Sequence, residues 1–534
     1  MSKVEIAKRL ILARARGSAT DARIPTADKG IGPAIFSARQ APSARTPVGT
    51  HSFSTTIESS SGVIVMEQKG PAIAHAGNSA PGDSRQIVNV SGIVVRTNPI
   101  FTSGQTVHDR AVEPSLILDK PRGFRDDSPV LHVRSRIRED GSSPMDAAAR
   151  KAKRMADLPV YLMDEVVRLK EQAVARGMDV IDLGVGDPDF PTPPHILAAG
   201  HAALENSANH HYSSYRGLAS LRRAFADWYR GRFGVALDPD TEVLPLIGSK
   251  EGIGHVHLAF VGPGDEVLIP DPGYPTYQGG TILAGGTPRY YPLRAETGWL
   301  PDLAELERQD LSRVKLMHIN YPSNPTTASA DLACFAAVAA FGLRHNIIIC
   351  HDNAYSEVYF DGVRPPSFLQ SKDAKQIGIE FHSLSKTYLM TGWRIGVAVG
   401  HAGVIAALGD VKSNYETGIF PVVQQAGIAA LSGDQSLLDT MRRHFQRRCD
   451  LFADGLARLG YRVQKPKATF YVWGGIPDGE PSARFAKRLL DEAGVVVTPG
   501  AGFGPHGEGY FRAALTVDEA RLTEAIARIG RLTR

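Results

Sequence analysis

The sequence predicts an α/β fold, in which helices cover both faces of a mostly parallel sheet, together with a smaller α+β domain. Apolar runs without strict alternation recur between residues 243 and 399, and helical patterns separate most of them. Runs of this kind are typical of strands that are buried on both faces of a parallel sheet. After about residue 412, long helical patterns precede short strand-like segments, and this change predicts the smaller domain.

The composition is that of an ordinary globular protein, with 43% hydrophobic and 22% charged residues in a chain of 534. This length predicts two or more domains. A formal net charge of +4 gives no reason to expect nucleic acid or a membrane as a partner, and no apolar run has the length of a membrane span. The three cysteines lack metal-ligand spacing and are too few for a disulfide framework. We therefore expect free thiols, no metal site and a cytoplasmic location.

The first part of the chain, residues 1–150, differs from the rest and is interpreted as an N-terminal extension. Residues 4–16 have a helical pattern, and SSSGVIVMEQ and RQIVNVSGIVVRTNP could form short strands. The stretches between them are rich in Gly, Pro, Ser, Thr and Arg, as linkers and disordered segments are. The alternatives are a disordered extension, a targeting peptide, and sequence upstream of a later translation start at Met145. We favour disorder or a misplaced start.

The rest of the chain divides where its pattern changes. We expect residues 151–195 to form an N-terminal arm and part of the small domain, 196–411 the large domain, and 412–534 the small C-terminal domain. Within the large domain the predicted strands are 243–247, 266–269, 315–319, 347–351, 378–382 and 395–399. In the small domain we expect strands near 470–473, 495–498 and 510–515.

A lysine lies in the connection between the last two predicted strands of the large sheet, in residues 382–396 (HSLSKTYLMTGWRIG). Ser383, Ser385 and Arg394 accompany Lys386 in this connection. Hydroxyls and a guanidinium suit a phosphate group, and the lysine would then present an amine beside it. Taken alone, the stretch is equally compatible with a solvated loop that carries ordinary charges.

Polar groups also follow the other predicted strands, and in an open α/β sheet ligands gather at the carboxyl ends of the strands. Gly248-Ser249-Lys250 opens a helix after the strand at 243–247, and such a turn suits a phosphate. Tyr274 lies between two prolines, where it could stack on a flat ring or pack as an ordinary tyrosine.

Three further side chains have two interpretations each. Asn324 precedes a proline, so its amide could point into the crevice or form an Asx-turn. Asp352 follows an apolar strand and needs a partner: it could pair with a cationic ring nitrogen, with Tyr355 beside it, or cap a helix. Arg512, in an otherwise apolar strand, could form a structural ion pair or bind a substrate carboxylate.

Together these groups match what pyridoxal phosphate requires of a protein. The cofactor needs a lysine for covalent attachment, a carboxylate that keeps its pyridine nitrogen protonated, an aromatic stack and fixed donors for its phosphate. Lys386 would then act twice, first as the anchor and, once displaced by substrate, as the general base that moves the Cα proton.

Residues from about 158 to the end resemble the class I/II aminotransferases of the pyridoxal phosphate fold type I, and most of all the LL-diaminopimelate aminotransferase group. The motifs that carry the resemblance are GVGDPDFPTP, HYSSYRG, GSKEGI, DPGYPTY, NYPSNPT, HDNAYSE, SLSKTYLMTGWRIG and YFRAAL. The resemblance implies a large pyridoxal phosphate-binding domain built on a mostly parallel seven-stranded sheet, with a smaller α+β domain.

The resemblance also implies a role for each candidate residue. The catalytic residues would be Lys386, which forms the Schiff base, Asp352, which pairs with the pyridine nitrogen, and Tyr355. Tyr355 and Asn324 would hydrogen-bond the phenolic oxygen of the cofactor.

The remaining implied roles concern the cofactor's ring and phosphate and the substrate. Tyr274 would stack on the ring, and the phosphate would be held by Ser249, Lys250 through its backbone, Ser383 and Arg394. Arg512 would bind the substrate α-carboxylate, with help from Asn324 and the backbone at Gly186. Tyr212 would reach the phosphate of a neighbouring subunit, which implies a homodimer with shared active sites.

The resemblance has two departures: Thr327 stands where many relatives have glycine, and a different turn is expected there, while Leu389 stands where relatives often carry asparagine. We expect an aminotransferase that uses an amino acid and a 2-oxo acid, with 2-oxoglutarate and glutamate as the co-substrate pair and LL-diaminopimelate of lysine biosynthesis as a candidate donor. Alanine, aspartate and aromatic amino acids stay open as substrates, as does a lyase on the same fold. A transcription regulator with an N-terminal winged helix is disfavoured. Such a module needs three clear helices, and residues 1–150 contain at most one convincing helical pattern.

Overall fold

The computed structural model describes residues 150–159 and 162–532, and also the backbone of six strands between residues 53 and 137. The chain divides into two compact units, Met1–Arg150 and Lys151–Arg534. The predicted helix at residues 4–16 lies outside the described residues, and the prediction of a disordered or misplaced N-terminal extension stays a prediction.

The described strands of the first unit form two small sheets. Their bounds are β1 (Phe53–Ser59), β2 (Gly62–Gln68), β3 (Ile87–Val90), β4 (Ile93–Arg96), β5 (Val112–Leu118) and β6 (Val130–Ile137). β1 and β2 pair as an antiparallel hairpin, and the other four have the order β3-β4-β6-β5. The two strand-like segments identified in the sequence contain β2 and the β3–β4 pair.

A seven-stranded sheet forms the centre of the second unit, with the strand order β10-β9-β11-β12-β13-β14-β8. Its strands are β8 (Val243–Leu246), β9 (Glu266–Asp271), β10 (Thr287–Pro292), β11 (Val314–Asn320), β12 (Ile348–Asp352), β13 (Gly378–Ser383) and β14 (Gly396–Gly400). Only β14 runs antiparallel to its neighbours, so the predicted mostly parallel sheet is confirmed. β8, β9, β13 and β14 are buried along their whole length.

A four-stranded antiparallel sheet and one parallel strand pair lie in the remainder of this unit. The four-stranded sheet has the order β15 (Arg462–Val463), β16 (Tyr471–Gly475), β19 (Tyr510–Ala514) and β18 (Thr498–Pro499), and the pair consists of β7 (Ile181–Asp182) and β17 (Val495–Val496). Through that pair, the segment before residue 195 joins the C-terminal part of the chain. The boundaries at residues 195 and 411 stay predictions.

Helices occupy most of the segments between these strands. They are α1 (Leu162–Ala175), α2 (Pro194–Glu205), α3 (Ala219–Phe233), α4 (Ser249–Phe260), α5 (Thr276–Ala284), α6 (Leu303–Glu307), α7 (Leu332–His345), α8 (Leu384–Thr387), α9 (Ala402–Tyr415), α10 (Pro421–Ser432), α11 (Ser436–Arg458), α12 (Ser482–Ala493) and α13 (Glu519–Leu532). The sequence sets their ends: the Asp331 side chain caps α7 by accepting from the Cys334 amide at 2.8 Å, and Asn346 ends it with φ 53°.

The register of the central sheet brings the candidate residues to one edge. Asn320 pairs with Asp352, and Asp352 pairs with Phe381, so the carboxyl ends of β11, β12 and β13 are level. The antiparallel β14 begins at the same edge, because Gly396 pairs with Ser383 and with Leu246. The side chains that follow these strand ends can therefore meet in one crevice.

Candidate active site

Lys386 lies on α8, the single helical turn that follows β13. Its Nζ donates a hydrogen bond to the Gly186 carbonyl at 2.6 Å and lies 5.7 Å from the Phe470 ring centre. Burial lowers the pKa of Lys386 to about 8; Asp187 opposes this effect, and Arg512 and Arg394 add to it. At pH 7 roughly a tenth of this lysine is therefore a neutral, nucleophilic amine, which is far more than an ordinary lysine provides.

Asp352 ends β12 and is buried, with 6% of its surface exposed. Its Oδ2 accepts a hydrogen bond from the Tyr277 hydroxyl at 2.9 Å, whereas Oδ1 has no hydrogen-bond partner of normal geometry among the described residues. Burial raises the pKa of Asp352 to about 6, although Tyr277, His351 and the Ala354 amide act in the opposite direction. A buried carboxylate oxygen without a partner is a site for a cationic N–H donor. The alternative of a helix N-cap is wrong, since no described helix begins at this residue.

Arg512 is also buried, with 3% exposed, and it projects from β19 toward the same crevice. Its guanidinium donates to Asn324 Oδ1 at 2.8 Å and to the Gly184 carbonyl at 2.7 Å, while its Nε has no partner. No carboxylate of the described residues lies within ion-pair distance, so a structural ion pair in that part of the chain is excluded. The group is free to bind an anion such as a carboxylate.

Tyr355 and Tyr471 join these groups through their hydroxyls, which lie 2.8 Å apart. Both side chains are buried, and burial raises the pKa of each. The Arg512 guanidinium lies over the Tyr471 ring at 4.4 Å.

A second cluster forms around the turn from β8 to α4. Gly248 has φ 75°, and a side chain at this position would collide with the Arg394 guanidinium, so only glycine allows the approach. Arg394, itself exposed with φ 54°, donates to Ser385 Oγ at 3.3 Å and to the Thr391 carbonyl at 2.8 Å. The amide end of α4 at Ser249 and this guanidinium together form a cradle for an anion.

The other predicted residues occupy varied positions. Ser383 caps α8, because its Oγ accepts from the Ser385 amide at 3.2 Å, and it is Ser385 that meets Arg394. Tyr274 is half-buried and edge-on to Tyr277, with ring centres 5.8 Å apart. Lys250 is exposed, and Tyr212, 92% exposed, lies on the surface.

Sequence reasoning missed two tyrosines of the site, Tyr277 and Tyr471. Tyr277 lies three residues after Tyr274 in the same motif, DPGYPTY, and this proximity was an available signal. Tyr471 has no local motif. It reaches the site because β16 pairs with β19, which places it on the same sheet face as Arg512.

The described residues contain no group of three or more His, Cys, Asp or Glu side chains that could hold a metal ion. No helix in that part of the chain is both long and apolar enough to cross a membrane.

Comparison with known proteins agrees with this geometry. The family model for "Aminotransferase class I and II" matches residues 178–529. The LL-diaminopimelate aminotransferase of Desulforudis audaxviator is 53% identical over 387 residues, which is 72% of this chain and 99% of that protein. The enzyme of the same name from Moorella thermoacetica is 52% identical over 382 residues, 72% of this chain and 98% of that protein.

The fold of this chain is also similar to that of a solved structure. Apo-BacF from Bacillus subtilis superimposes with a TM-score of 0.70 at 39% identity, over 72% of this chain and 98% of that one. With a family match that spans most of the second unit and relatives covered almost completely, the chain belongs to the class I and II aminotransferases and is itself an aminotransferase.

Proposed function

We propose that this enzyme uses pyridoxal phosphate to transfer the amino group of LL-diaminopimelate to 2-oxoglutarate. The observation that carries the cofactor assignment is the buried Oδ1 of Asp352, which lacks a partner in the same crevice as a lysine of depressed pKa. The names of the relatives at 50–53% identity carry the choice of amino donor.

The residues of the crevice fit the cofactor at both of its ends. Asp352 Oδ1 would accept from the protonated pyridine nitrogen, which gives a partner to a buried carboxylate oxygen that the protein leaves unpaired. The cradle of Ser249, the Lys250 backbone and Arg394, with Ser383 close by, would hold the phosphate. Between these ends, Tyr274 would stack on the ring.

Two side chains would hold the phenolic oxygen of the ring. Tyr355 would donate its hydroxyl proton, and Asn324 would contribute its amide. When bound, the cofactor supplies an electron sink that stabilises the negative charge developing on the substrate Cα.

The chain itself would bind the substrate and move the proton. Arg512 would hold the α-carboxylate, with the Gly186 backbone and Asn324 beside it, and this contact fixes the Cα–H near Lys386. The Lys386 amine is neutral in part near pH 8 because burial disfavours its charge. It would take the Cα proton of the amino donor and, in the second half of the transfer, give a proton to the carbon that becomes the Cα of glutamate. The depressed pKa thus matches the task of a general base at physiological pH.

A homodimer is part of this proposal. Tyr212 carries a large aromatic side chain that is 92% exposed, and in a dimer it would reach the phosphate cradle of the neighbouring subunit. Mixing a Lys386→Ala chain with a Tyr212→Ala chain should then restore activity, because one of the two shared sites contains both wild-type residues. A cytoplasmic location likewise stays a prediction.

The deciding experiment is a panel of amino donors assayed with 2-oxoglutarate, including LL-diaminopimelate, alanine, aspartate and aromatic amino acids. We expect LL-diaminopimelate to give the highest kcat/KM, with glutamate as the product. A higher value for another donor would overturn the substrate assignment and leave the cofactor assignment intact.

The cofactor assignment has its own test. The purified protein should absorb in the visible range, and Lys386→Ala should abolish both the covalent linkage and turnover. An active Lys386→Ala enzyme would overturn the assignment of this lysine.

A further inference from the structure

The hydroxyl pair of Tyr355 and Tyr471 lies between the group proposed to bind substrate and the group proposed to hold the cofactor. The two oxygens are 2.8 Å apart, and the side chains are 6% and 2% exposed. Hydroxyl protons rotate freely, so distance alone does not say which oxygen donates. The surroundings of the two tyrosines supply the answer.

Tyr471 is adjacent to a positive charge. The Arg512 guanidinium lies 4.4 Å from the centre of its ring, and this cation favours electron density on the ring and makes the hydroxyl a better donor. The Arg512 and Asp352 charges act on both tyrosines, but the guanidinium is the leading charge on Tyr471, and burial with the neighbouring Tyr471 raises the pKa of Tyr355 more strongly. The tyrosine that holds its proton less firmly is the better donor, so donation from Tyr471 to Tyr355 is favoured.

Packing holds Tyr471 in this position. Its hydroxyl fills the space above Gly186, where any side chain would collide with it. The carbonyl of the same glycine accepts the hydrogen bond of Lys386 Nζ at 2.6 Å. On the strand pair β16–β19, Tyr471 also lies on the face that carries Arg512, so the carboxylate-binding strand and the lysine both constrain this hydroxyl.

We propose that Tyr471 is a positioning residue whose hydroxyl donates to Tyr355 and so directs the Tyr355 proton to the phenolic oxygen of the cofactor. This inference rests on the proposed function, because that oxygen belongs to pyridoxal phosphate. Successive hydrogen bonds polarise one another, so a donor behind Tyr355 makes Tyr355 itself a stronger donor. Tyr471 would thereby stabilise negative charge on the cofactor oxygen without touching it.

The test is a pH titration of the visible band of the full-length holoenzyme, which follows protonation of the linkage between Lys386 and the cofactor. The unprotonated linkage leaves the full negative charge on the phenolic oxygen, so it depends most on donation from Tyr355. In Tyr471→Phe we expect the midpoint to rise by about 0.3–1 pH unit, since the ring stays and only the donor is lost. In a Tyr355→Phe background the same change should add nothing.

Two further variants make the test specific. Tyr471→3-fluorotyrosine keeps the shape and strengthens the donor, so the midpoint should move down. Tyr461→Phe removes the hydroxyl of another tyrosine of the C-terminal part, packed beside Phe485 and Phe511, and should leave the midpoint unchanged.

The outcomes separate this inference from the proposed function. A normal visible band whose midpoint is the same in Tyr471→Phe, or shifts equally in the Tyr355→Phe background, overturns the role of Tyr471 alone. A wild-type protein that shows no visible band when supplied with pyridoxal phosphate, or a band that survives Lys386→Ala, overturns the proposed function first.

Discussion

At the scale of single residues, the site depends on two ionisable groups, and burial disfavours the charged form of each. Asp352 and Lys386 are a carboxylate and an amine in a crevice of low dielectric, and burial shifts both pKa values toward the neutral forms. Neighbouring side chains adjust each shift. Tyr277 favours the ionised Asp352 through its hydrogen bond, and Asp187 favours the protonated Lys386.

Tyr277→Phe should weaken cofactor binding at the acidic end of the pH range. The variant removes the hydroxyl that donates to Asp352 Oδ2 at 2.9 Å, so the pKa of Asp352 should rise further above about 6. Since only the ionised carboxylate pairs with a cationic ring nitrogen, affinity should increase with rising pH, and its midpoint should lie higher in the variant. Spectroscopic titration of apo-protein between pH 5 and pH 8 measures this.

A matched control for this experiment is Tyr291→Phe. Tyr291 is another buried tyrosine, and its hydroxyl donates to the His318 carbonyl at 2.6 Å rather than to Asp352. A midpoint that moves equally in both variants would mean that general loosening, and not the bond to Asp352, causes the effect.

Covalent capture of the cofactor by apo-protein should accelerate with pH, with a midpoint near the Lys386 pKa of about 8. The neutral amine attacks the carbonyl, and its fraction grows as pH rises through that value. Asp187→Asn removes a charge that raises this pKa, so its rate profile should move to lower pH. Stopped-flow absorbance gives both profiles, and an unmoved or opposite shift in Asp187→Asn would contradict the assignment.

At the scale of elements, the junction of β8 and α4 sets the geometry of the anion cradle. Gly248 turns the chain with φ 75° and leaves room for the Arg394 guanidinium. The cradle is thus made by close approach of the α4 N-terminus to a side chain from the β13–β14 connection, and not by the sequence of either segment alone.

Gly248→Ala should therefore lower the affinity for pyridoxal phosphate strongly, by about 10-fold or more, because the added methyl displaces Arg394 and strains the turn. The matched control is Gly254→Ala in the same helix, where a Cβ meets nothing within 4 Å. That substitution should keep the affinity and stabilise the fold by about 0.5–1 kcal/mol. Equal affinities for the two variants, measured by equilibrium titration of apo-protein, would show that the approach of Arg394 does not matter.

The elements themselves follow largely from the sequence. Predicted strands such as 243–247 and 378–382 match β8 and β13 within a residue or two, because an apolar run bounded by turns has few other stable conformations. β10 was missed: its residues TPRYYP are bounded by prolines and partly exposed at the sheet edge, so they lack the pattern of a buried strand.

The site was predictable to the extent that its residues follow strand ends. Asp352 and Asn324 follow neighbouring strands, so a parallel sheet brings them together from chain order alone. The contact between Tyr355 and Tyr471 spans 116 positions and depends on how β16 is placed beside the segment that follows β12, which no local pattern encodes.

The backbone has a left-handed conformation at both departures from the family motifs. Thr327 has φ 63° and Leu389 has φ 58°, in the left-handed region that glycine and asparagine tolerate best. Thr327 thus keeps a conformation suited to glycine, and the expectation of a different turn at this residue is wrong.

At the scale of the whole molecule, the second unit contains every residue assigned to the site. The family match covers residues 178–529, and relatives that this chain covers to 98–99% match only 72% of it. The activity should therefore reside in Lys151–Arg534, whatever the first unit contributes.

Deleting residues 1–144, so that the chain begins at Met145, should leave kcat and KM for amino donor and 2-oxoglutarate within about 2-fold of the full-length values. The control is a longer deletion, of residues 1–177, which also removes α1. In that helix Val166 and Ala173 pack against Leu490 and Val496 in a small apolar cluster, so their loss exposes a patch of core and should lower the Tm and the yield of soluble protein. Activity, Tm and size-exclusion profiles of the three proteins decide the matter. If the shorter deletion is already insoluble or inactive, the first unit is required for the fold of the second, and the boundary near residue 150 is wrong.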